Sequence, residues 1–461
     1  MGEEIYQALA GIVGKEYVSN RPEELYFYAR DPGLMEPHQP DYVVMPKTTE
    51  EVQKIVKLAN EKKIPVVPKG GGFALTGLVI PLRGGILIDL KRMDRILEVN
   101  EKSRYVVIEA GVTQGKLKAY LEKHYPHLRH SIPDSPPIAT VAGNVLIHGQ
   151  GRLTQQYGYN SDMVTGFEVV LPTGEVCKIG SCSISPYWIS RGPLPDLAGL
   201  FLGWFGTTGI VTKLGLKLYP RKKLRDVEIF VVENEELVPD ILFRVTHTEM
   251  AEDINIWAQP YPLIFRGNHH ITIYITGDTD EELEFKRKMI WDALQDYIKN
   301  REGGFMALTP DIKPTFLDMP QKSVTRFADV KRGGGFEYSG PFIPIEKYPQ
   351  AYRKLVETAS KYKTTFSSMA RVIGRSHCMM FAFAFPFNRA DPDDMERVRK
   401  AIHECNEAAL KMGAIPWKAE VPLQKMVLEK MDPNTRKLIE GIKKLLDPNG
   451  IMNPGNWEWL D

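Results

Sequence analysis

Nine consecutive residues, Lys69-Gly70-Gly71-Gly72-Phe73-Ala74-Leu75-Thr76-Gly77, are the first in this chain whose types suggest chemistry. Successive glycines let a ligand come close to the main chain, and their amide N–H groups can converge on an anion. The run follows an apolar stretch, IPVVP at 64–68. No Gly-Lys-Ser or Gly-Lys-Thr closes it, and it does not open a helix in the Gly-x-Gly-x-x-Gly manner, so neither nucleotide fingerprint applies. Taken alone, the run reads equally well as a sharp turn. Further along, His377 in RSHCMMFAF is a residue type that titrates near neutrality and suits a general base. Tyr338 could hold a substrate hydroxyl, and Arg371 could clamp a carboxylate through two parallel hydrogen bonds. His269 and His270 adjoin in a strand-like stretch, so they face opposite sides and form no compact metal site. Cys177, Cys182, Cys378 and Cys405 are too few and too scattered for a disulfide framework, and neither they nor any other group predicts a metal or an iron–sulfur cluster.

The elements that must position these groups follow from pattern. PDYVVMP (40–46) and IPVVP (64–68) read as strands, with a helix through VQKIVKLANEKK between them, capped around Thr49-Glu50-Glu51. GGILIDL (84–90) and YVVIEAGV (105–112) are further strands. Phe167–Leu171 and Glu175–Ile179 read as a hairpin across Pro172-Thr173-Gly174, and GIVTKLGLKLY (209–219) alternates as a strand does. This order suits an α/β unit leading into antiparallel pairs. From about residue 221 the pattern changes to strands (DVEIFVVEN, ITIYITG, MMFAFAF) alternating with long helices, an antiparallel sheet with helices on one side. The fold class predicted is α+β, divided at 1–220, 221–412 and 413–461.

Composition bounds the rest. A length of 461 residues suggests two or three domains at roughly 150 residues each. With 43% apolar and 25% charged residues the chain is an ordinary globular one, which excludes disorder as its main state. Lysine and arginine total 59 against 58 acidic residues, a net charge of +1, so no bulk attraction to nucleic acid or to an anionic membrane is expected. No run approaches the ~18 apolar residues of a membrane span. The start, MGEEIYQALAGIVG, is acidic and lacks the basic region of a signal peptide, which makes the cytoplasm the expected location.

IPVVPKGGGFALTG, GGILIDLKRMDRILEVN and VVIEAGVTQGKL stand in the order and spacing of the FAD-binding domain of the vanillyl-alcohol oxidase superfamily, also called p-cresol methylhydroxylase-type. SIPDSPPIATVAGNV (131–145), YGYNSDMVTGFEVVLPTGEV (157–176), LFLGWFGTTGIVTKLGLKLYP (200–220) and DPNGIMNPG (447–455) resemble the same family, its glycolate oxidase and D-lactate dehydrogenase branch in particular. The resemblance implies a two-subdomain FAD-binding domain over 1–220, a substrate or cap domain over 221–412, and a final segment that returns to complete the FAD site. It implies a FAD-dependent oxidoreductase that transfers hydride from a small hydroxylated substrate, an aromatic alcohol or a 2-hydroxy acid, to the flavin.

By the same resemblance, Pro68, Lys69, Gly70, Gly71, Gly72, Phe73, Ala74, Leu75, Thr76 and Gly77 would hold the diphosphate. Pro133, Asp134 and Ser135 would face them, with Thr140, Gly143, Asn144, Asp162, Gly206, Gly209, Ile210 and Thr212 completing the cofactor site. Phe73 replaces the histidine that carries covalent flavin in some relatives, so FAD is expected to be non-covalent, with His148 the outside candidate for a link. Trp204-Phe205 replace the family's usual Ser-Glu. Late in the chain, GAIPWKAEVPLQKM (413–426) puts Trp417 and Lys418 at the place of the Tyr-Arg pair of aryl-alcohol relatives. Lys418 would then offset negative charge on the reduced flavin, and Trp417 would wall the substrate pocket without supplying a phenol. KRGGGFEYSGP (331–341) resembles the segment that covers the substrate face there. The His-rich metal motif and Gly-Glu-His-Gly segment of the hydroxy-acid branch do not occur. Two other readings stay open. The chain could be the flavin subunit of an electron-transfer complex with an iron–sulfur or second-flavin partner, or a non-redox group-transfer enzyme like the ether-lipid synthases. An electron-acceptor protein subunit and a homo-oligomer are both compatible with the family.

Overall fold

A computed structural model describes residues 2–258, 269–308, 310–317 and 333–458. Thr48 begins the first long helix by accepting a hydrogen bond from the Glu51 N–H at 3.2 Å. The helix, Thr49–Lys62, buries Val52, Ile55, Val56 and Ala59 along one stripe and ends where Lys63 turns left-handed at φ 54°. It carries the chain from strand Tyr42–Val44 to strand Val66–Lys69, and both lie parallel to the wholly buried Ile86–Asp89 between them. Val18–Ser19 closes that sheet as an antiparallel edge. A second, antiparallel sheet runs in the order Ile96–Asn100, Tyr105–Glu109, Ile210–Lys217, Val164–Val170, Val176–Gly180. The two sheets share one core, which includes Val44, Ile55, Ile88, Ile108, Phe167 and Leu214.

Residues 224–414 build a second core. Its frame is a seven-stranded antiparallel sheet ordered Met306–Ala307, Leu224–Val232, His269–Gly277, Asp253–Ala258, Ser368–Ile373, Cys378–Phe381, Phe342–Ile343. A two-stranded ribbon, Gly335–Ser339 with Phe383–Phe387, lies beside it. Helices Val238–His247, Asp280–Ala293, Tyr348–Lys361 and Pro392–Lys411 turn Ile241, Ile290, Leu355 and Ile402 into this core. Strands Asp253–Ala258 and Ser368–Ile373 escape the sequence pattern. They are buried on both faces and keep Asp253, Asn255, Ser368 and Arg371 inside, so their polar residues mark no solvent-facing side.

The last residues return to the first core. The Val66 N–H donates to the Ile451 carbonyl and the Asn453 N–H to the Val66 carbonyl, each at 2.7 Å, and Ile451 and Met452 are buried there. Trp457 stacks on Phe205 with centroids 5.5 Å apart.

Candidate functional site

A cavity of about 940 Å³ opens between the glycine loop and the large sheet. On the first-core side it is lined by Pro68, Gly70–Leu75, Pro133, Asp134, Ser135, Thr140, Gly143, Asn144, Gly206, Gly209 and Ile210. The strand Val66–Lys69 ends at this loop, and the loop packs closely on the segment around Thr140. A Cβ on Gly70 would stand 2.4 Å from the Thr140 hydroxyl, and one on Gly206, at φ 75°, would stand 2.6 Å from the Pro68 ring. Only glycine permits these approaches.

Five residues predicted for this wall lie elsewhere. Lys69, Thr76 and Gly77 belong to the loop but not to the cavity lining. The Lys69 ammonium sits 4.9 Å over the Tyr28 ring, behind the loop, and the Gly77 N–H is turned to Asp31 at 2.7 Å. Asp162 is exposed and caps a turn, accepting from the Tyr159 N–H at 2.9 Å. Thr212 is enclosed in the antiparallel sheet, where its hydroxyl donates to the Glu168 carboxylate at 3.0 Å.

The polar groups of the wall fit an elongated, phosphate-bearing ligand. The Ser135 hydroxyl and both amide atoms of Gln150 are buried, line the cavity and have no hydrogen-bond partner among the described residues. The wall's one carboxylate, Asp134, is already ion-paired to Arg371, so main-chain amides and neutral side chains face the space. These are the features that a dinucleotide cofactor with a diphosphate would satisfy.

The second-core side is mostly apolar: Trp257, Phe316, Phe336, Phe366, Met369, Met380 and Trp417 line it. Lys418 stands where the two sides meet. It is only 6% exposed, and its backbone is left-handed at φ 51°. Its Nζ donates to the Ala74 carbonyl of the glycine loop at 2.9 Å and touches the Tyr338 hydroxyl. The same atom lies 4.2 Å from the centre of the Tyr338 ring and 4.4 Å from that of Trp417. Burial pulls the Lys418 amine down to about 7, against the opposing pull of Glu337 and Asp31. Burial raises the Tyr338 phenol well above its ordinary range, with Glu337 and Asp134 adding to the effect. The Trp417 indole N–H is tied to the Ile147 carbonyl, which fixes that ring as a wall.

Arg371 also lines the cavity, and two carboxylates already offset its charge. It donates to Asp253 twice at 3.1 Å and pairs with Asp134 at 3.2 Å. The two carboxylates hold it charged despite complete burial. His377 stands apart: instead of sitting on a strand it is exposed in the turn between Ser368–Ile373 and Cys378–Phe381. Gly374, Arg375 and Ser376 all take positive φ there and force the hairpin. Of the adjacent histidines, His269 is buried against Tyr348, its Nδ1 at 2.8 Å from the tyrosine hydroxyl. His270 faces the cavity, and burial depresses its imidazole below the usual range. Within the predicted covering segment, residues 331 and 332 lie outside the described residues, and Phe336 and Tyr338 line the cavity.

Gln150, Trp257, His270, Asp31 and Glu337 are the contributors that sequence reasoning missed. Asp31 and Glu337 act from behind. Asp31 accepts from Gly33 and Gly77 N–H groups, and Glu337 accepts from Leu34 and Tyr338 N–H groups. The only sequence signal was for His270, one of an adjacent pair whose partner had to face inward. Among the described residues no group of three potential metal ligands occurs, and no helix is long and apolar enough to cross a membrane.

Comparison with known proteins places the chain among flavoproteins. Residues 40–180 match the FAD binding domain family, and residues 336–457 match the C-terminal domain of FAD linked oxidases. A D-lactate dehydrogenase of Archaeoglobus fulgidus is 32% identical over 94% of this chain and 95% of its own. The glycolate oxidase subunit GlcD of Bacillus subtilis is 25% identical over 98% of this chain and 96% of its own. The crystal structure of p-cresol methylhydroxylase with substrate bound superposes with a TM-score of 0.86, at 22% identity, over 99% of this chain and 96% of that one.

Proposed function

This chain is a FAD-dependent oxidoreductase of the vanillyl-alcohol oxidase superfamily, with that family's α+β fold, and from that premise we propose that it oxidises a hydroxylated substrate with an apolar, aromatic body. FAD, when bound, supplies the hydride acceptor. The glycine loop, Ser135 and Gln150 are the residues that would hold its polar length, and Lys418 stands beside the loop where a cation could offset charge.

The observation that carries the substrate reading is the commitment of Arg371. A 2-hydroxy acid needs a counter-charge for its carboxylate, and the charge of the arginine lining the cavity is already offset by Asp134 and Asp253. What remains is an aromatic and methionine-lined slot, with Tyr338 and Lys418 at one end and His270 also on its wall. Such a surface favours an aryl group. The relatives named for D-lactate and glycolate keep the hydroxy-acid reading as the alternative, with Lys418 as the one cation available to it. The word "subunit" in the GlcD name supports a further reading, that a separate protein takes the electrons onward.

Anaerobic mixing decides between the substrates. Benzylic alcohols should bleach the flavin absorbance, and D-lactate and glycolate should not. Bleaching by the hydroxy acids alone would overturn the aryl reading. Bleaching by neither, with turnover of an ester or ether substrate instead, would point to non-redox group transfer.

A further inference from the structure

The contact between Lys418 Nζ and the Tyr338 hydroxyl assigns this pair more than a charge. We propose that Tyr338 and Lys418 form a proton relay, in which the tyrosine hydroxyl takes the substrate's hydroxyl proton as it passes its own to the lysine amine. The inference rests on the oxidoreductase reading above and deepens it.

Oxidation of an alcohol removes two hydrogens. The carbon-bound one leaves with its electron pair to the cofactor, and the oxygen-bound one must leave as a proton. In the relay the substrate O–H bond breaks and a Tyr338 O–H bond forms. The original Tyr338 O–H breaks and a Lys418 N–H forms. The substrate becomes a carbonyl compound and Lys418 becomes an ammonium. The positive charge therefore arrives beside the glycine loop in the same event that places negative charge on the cofactor.

Geometry supports each part. Both side chains line the cavity, so a hydroxyl bound there can reach the phenol. Lys418 is anchored by a donated hydrogen bond to the Ala74 carbonyl and touches the Tyr338 hydroxyl, and its uncharged amine would have a lone pair with which to accept from that hydroxyl. No carboxylate lies within ion-pairing distance of it among the described residues. The rings of Tyr338 and Trp417 flank it.

Charged and titratable groups approach from every neighbouring element. Asp31 lies behind the glycine loop, and Glu337 is on the strand of Tyr338 but turned to the other side. Asp134 comes from the segment Pro133–Ser135, Arg371 from strand Ser368–Ile373, and His270 from strand His269–Gly277. Asp31 and Glu337 favour an ammonium, yet burial raises both carboxyls toward their neutral forms. Arg371 is shared between Asp134 and Asp253, so that cluster keeps a net negative charge and also favours the ammonium. Burial of the amine is the largest single influence, and it favours the uncharged base that the relay requires.

Two measurements test the relay. In the flavin-loaded resting enzyme, a lysine labelled with carbon-13 at Cε should titrate near pH 7, and its signal should vanish in Lys418→Met. This needs no substrate, so it stands even if the substrate reading fails. A Lys418 signal that stays in its ammonium position up to pH 9 would sink the proposal. The rate of anaerobic flavin reduction should rise with pH through about 7. Lys418→Arg keeps a cation but cannot accept a proton, and should lose at least about 100-fold together with the pH limb. Tyr338→Phe should lose a similar factor while the Lys418 titration persists. A Lys418→Arg enzyme with nearly full rate, or a wild-type rate that falls through pH 7, would show that Lys418 acts as a fixed charge only.

Discussion

Phe73 faces the cavity from the glycine loop with a ring that cannot bond to flavin. His148, the other candidate for a link, holds the Ser161 hydroxyl at 2.8 Å and stands outside the cavity lining. Acid precipitation of the yellow protein should therefore leave a colourless pellet and a yellow supernatant. A pellet that keeps its colour would mean that the flavin is bonded covalently to the chain. Single residues were the hardest scale to read. Lys418 and Trp417 could be found only through the family pattern around them, since a lysine beside a tryptophan in a sequence usually means surface beside core. His377 looked like chemistry because it adjoined an apolar run, but three left-handed residues before it turn it outward. Asp31, Glu337 and Gln150 left no trace at all. Nothing in a sequence marks a carboxylate as buried until the segments that cover it are known.

The glycine loop works as an element because its neighbour is equally constrained. Thr140 begins helix Val141–Leu146 by accepting from the Gly143 N–H at 3.2 Å, and the same hydroxyl bounds the space beside Gly70. Gly70→Ala would put a methyl 2.4 Å from that oxygen, so either the cap breaks, at about 1 kcal/mol, or the loop is pushed into the cofactor's space. The expected result is a clear fall in the flavin-to-protein ratio with little change in circular dichroism. Gly441→Ala is the control: it lies on helix Pro433–Leu446 with nothing within 4 Å of its added methyl, and should keep its flavin. Full flavin retention in Gly70→Ala would mean that the loop does not grip the cofactor. Elements with a half-exposed face were legible. Helix Thr49–Lys62 has its cap and stripe in plain view, and so have the strands on either side of it. Among buried strands, apolar runs such as Ile86–Asp89 and Tyr105–Glu109 were legible, whereas Asp253–Ala258 and Ser368–Ile373 were not, because the polar residues within them do not face water.

At the scale of the whole molecule, the two cores meet across contacts that no local pattern announces. Glu337 reaches Leu34 over 303 residues of sequence, and Arg371 ties Asp134, in the cofactor wall, to Asp253 in the large sheet. The order of the family's motifs made the return of residues 447–455 to the first core foreseeable. It could not reveal these crossings, which depend on how the second core is set against the first. Arg371 is the most demanding of them, since its removal takes away the guanidinium that pairs with the buried Asp253 and the half-buried Asp134. Arg371→Leu should cost about 3–5 kcal/mol in denaturant unfolding near neutral pH. The loss should also depend on pH in a definite direction. Burial already raises the Asp253 carboxyl against the lowering pull of Arg371, so losing the guanidinium lifts its folded-state affinity for protons further above that of the unfolded chain. The native form then binds more protons than the unfolded one, so the variant's stability increases as pH falls. The gap to the wild type should therefore narrow as the pH falls below neutrality, and flavin retention should recover in parallel, because strand Ser368–Ile373 carries part of the cavity wall. A deficit of the same size at every pH would mean that lost packing, rather than the lost ion pair, accounts for the damage.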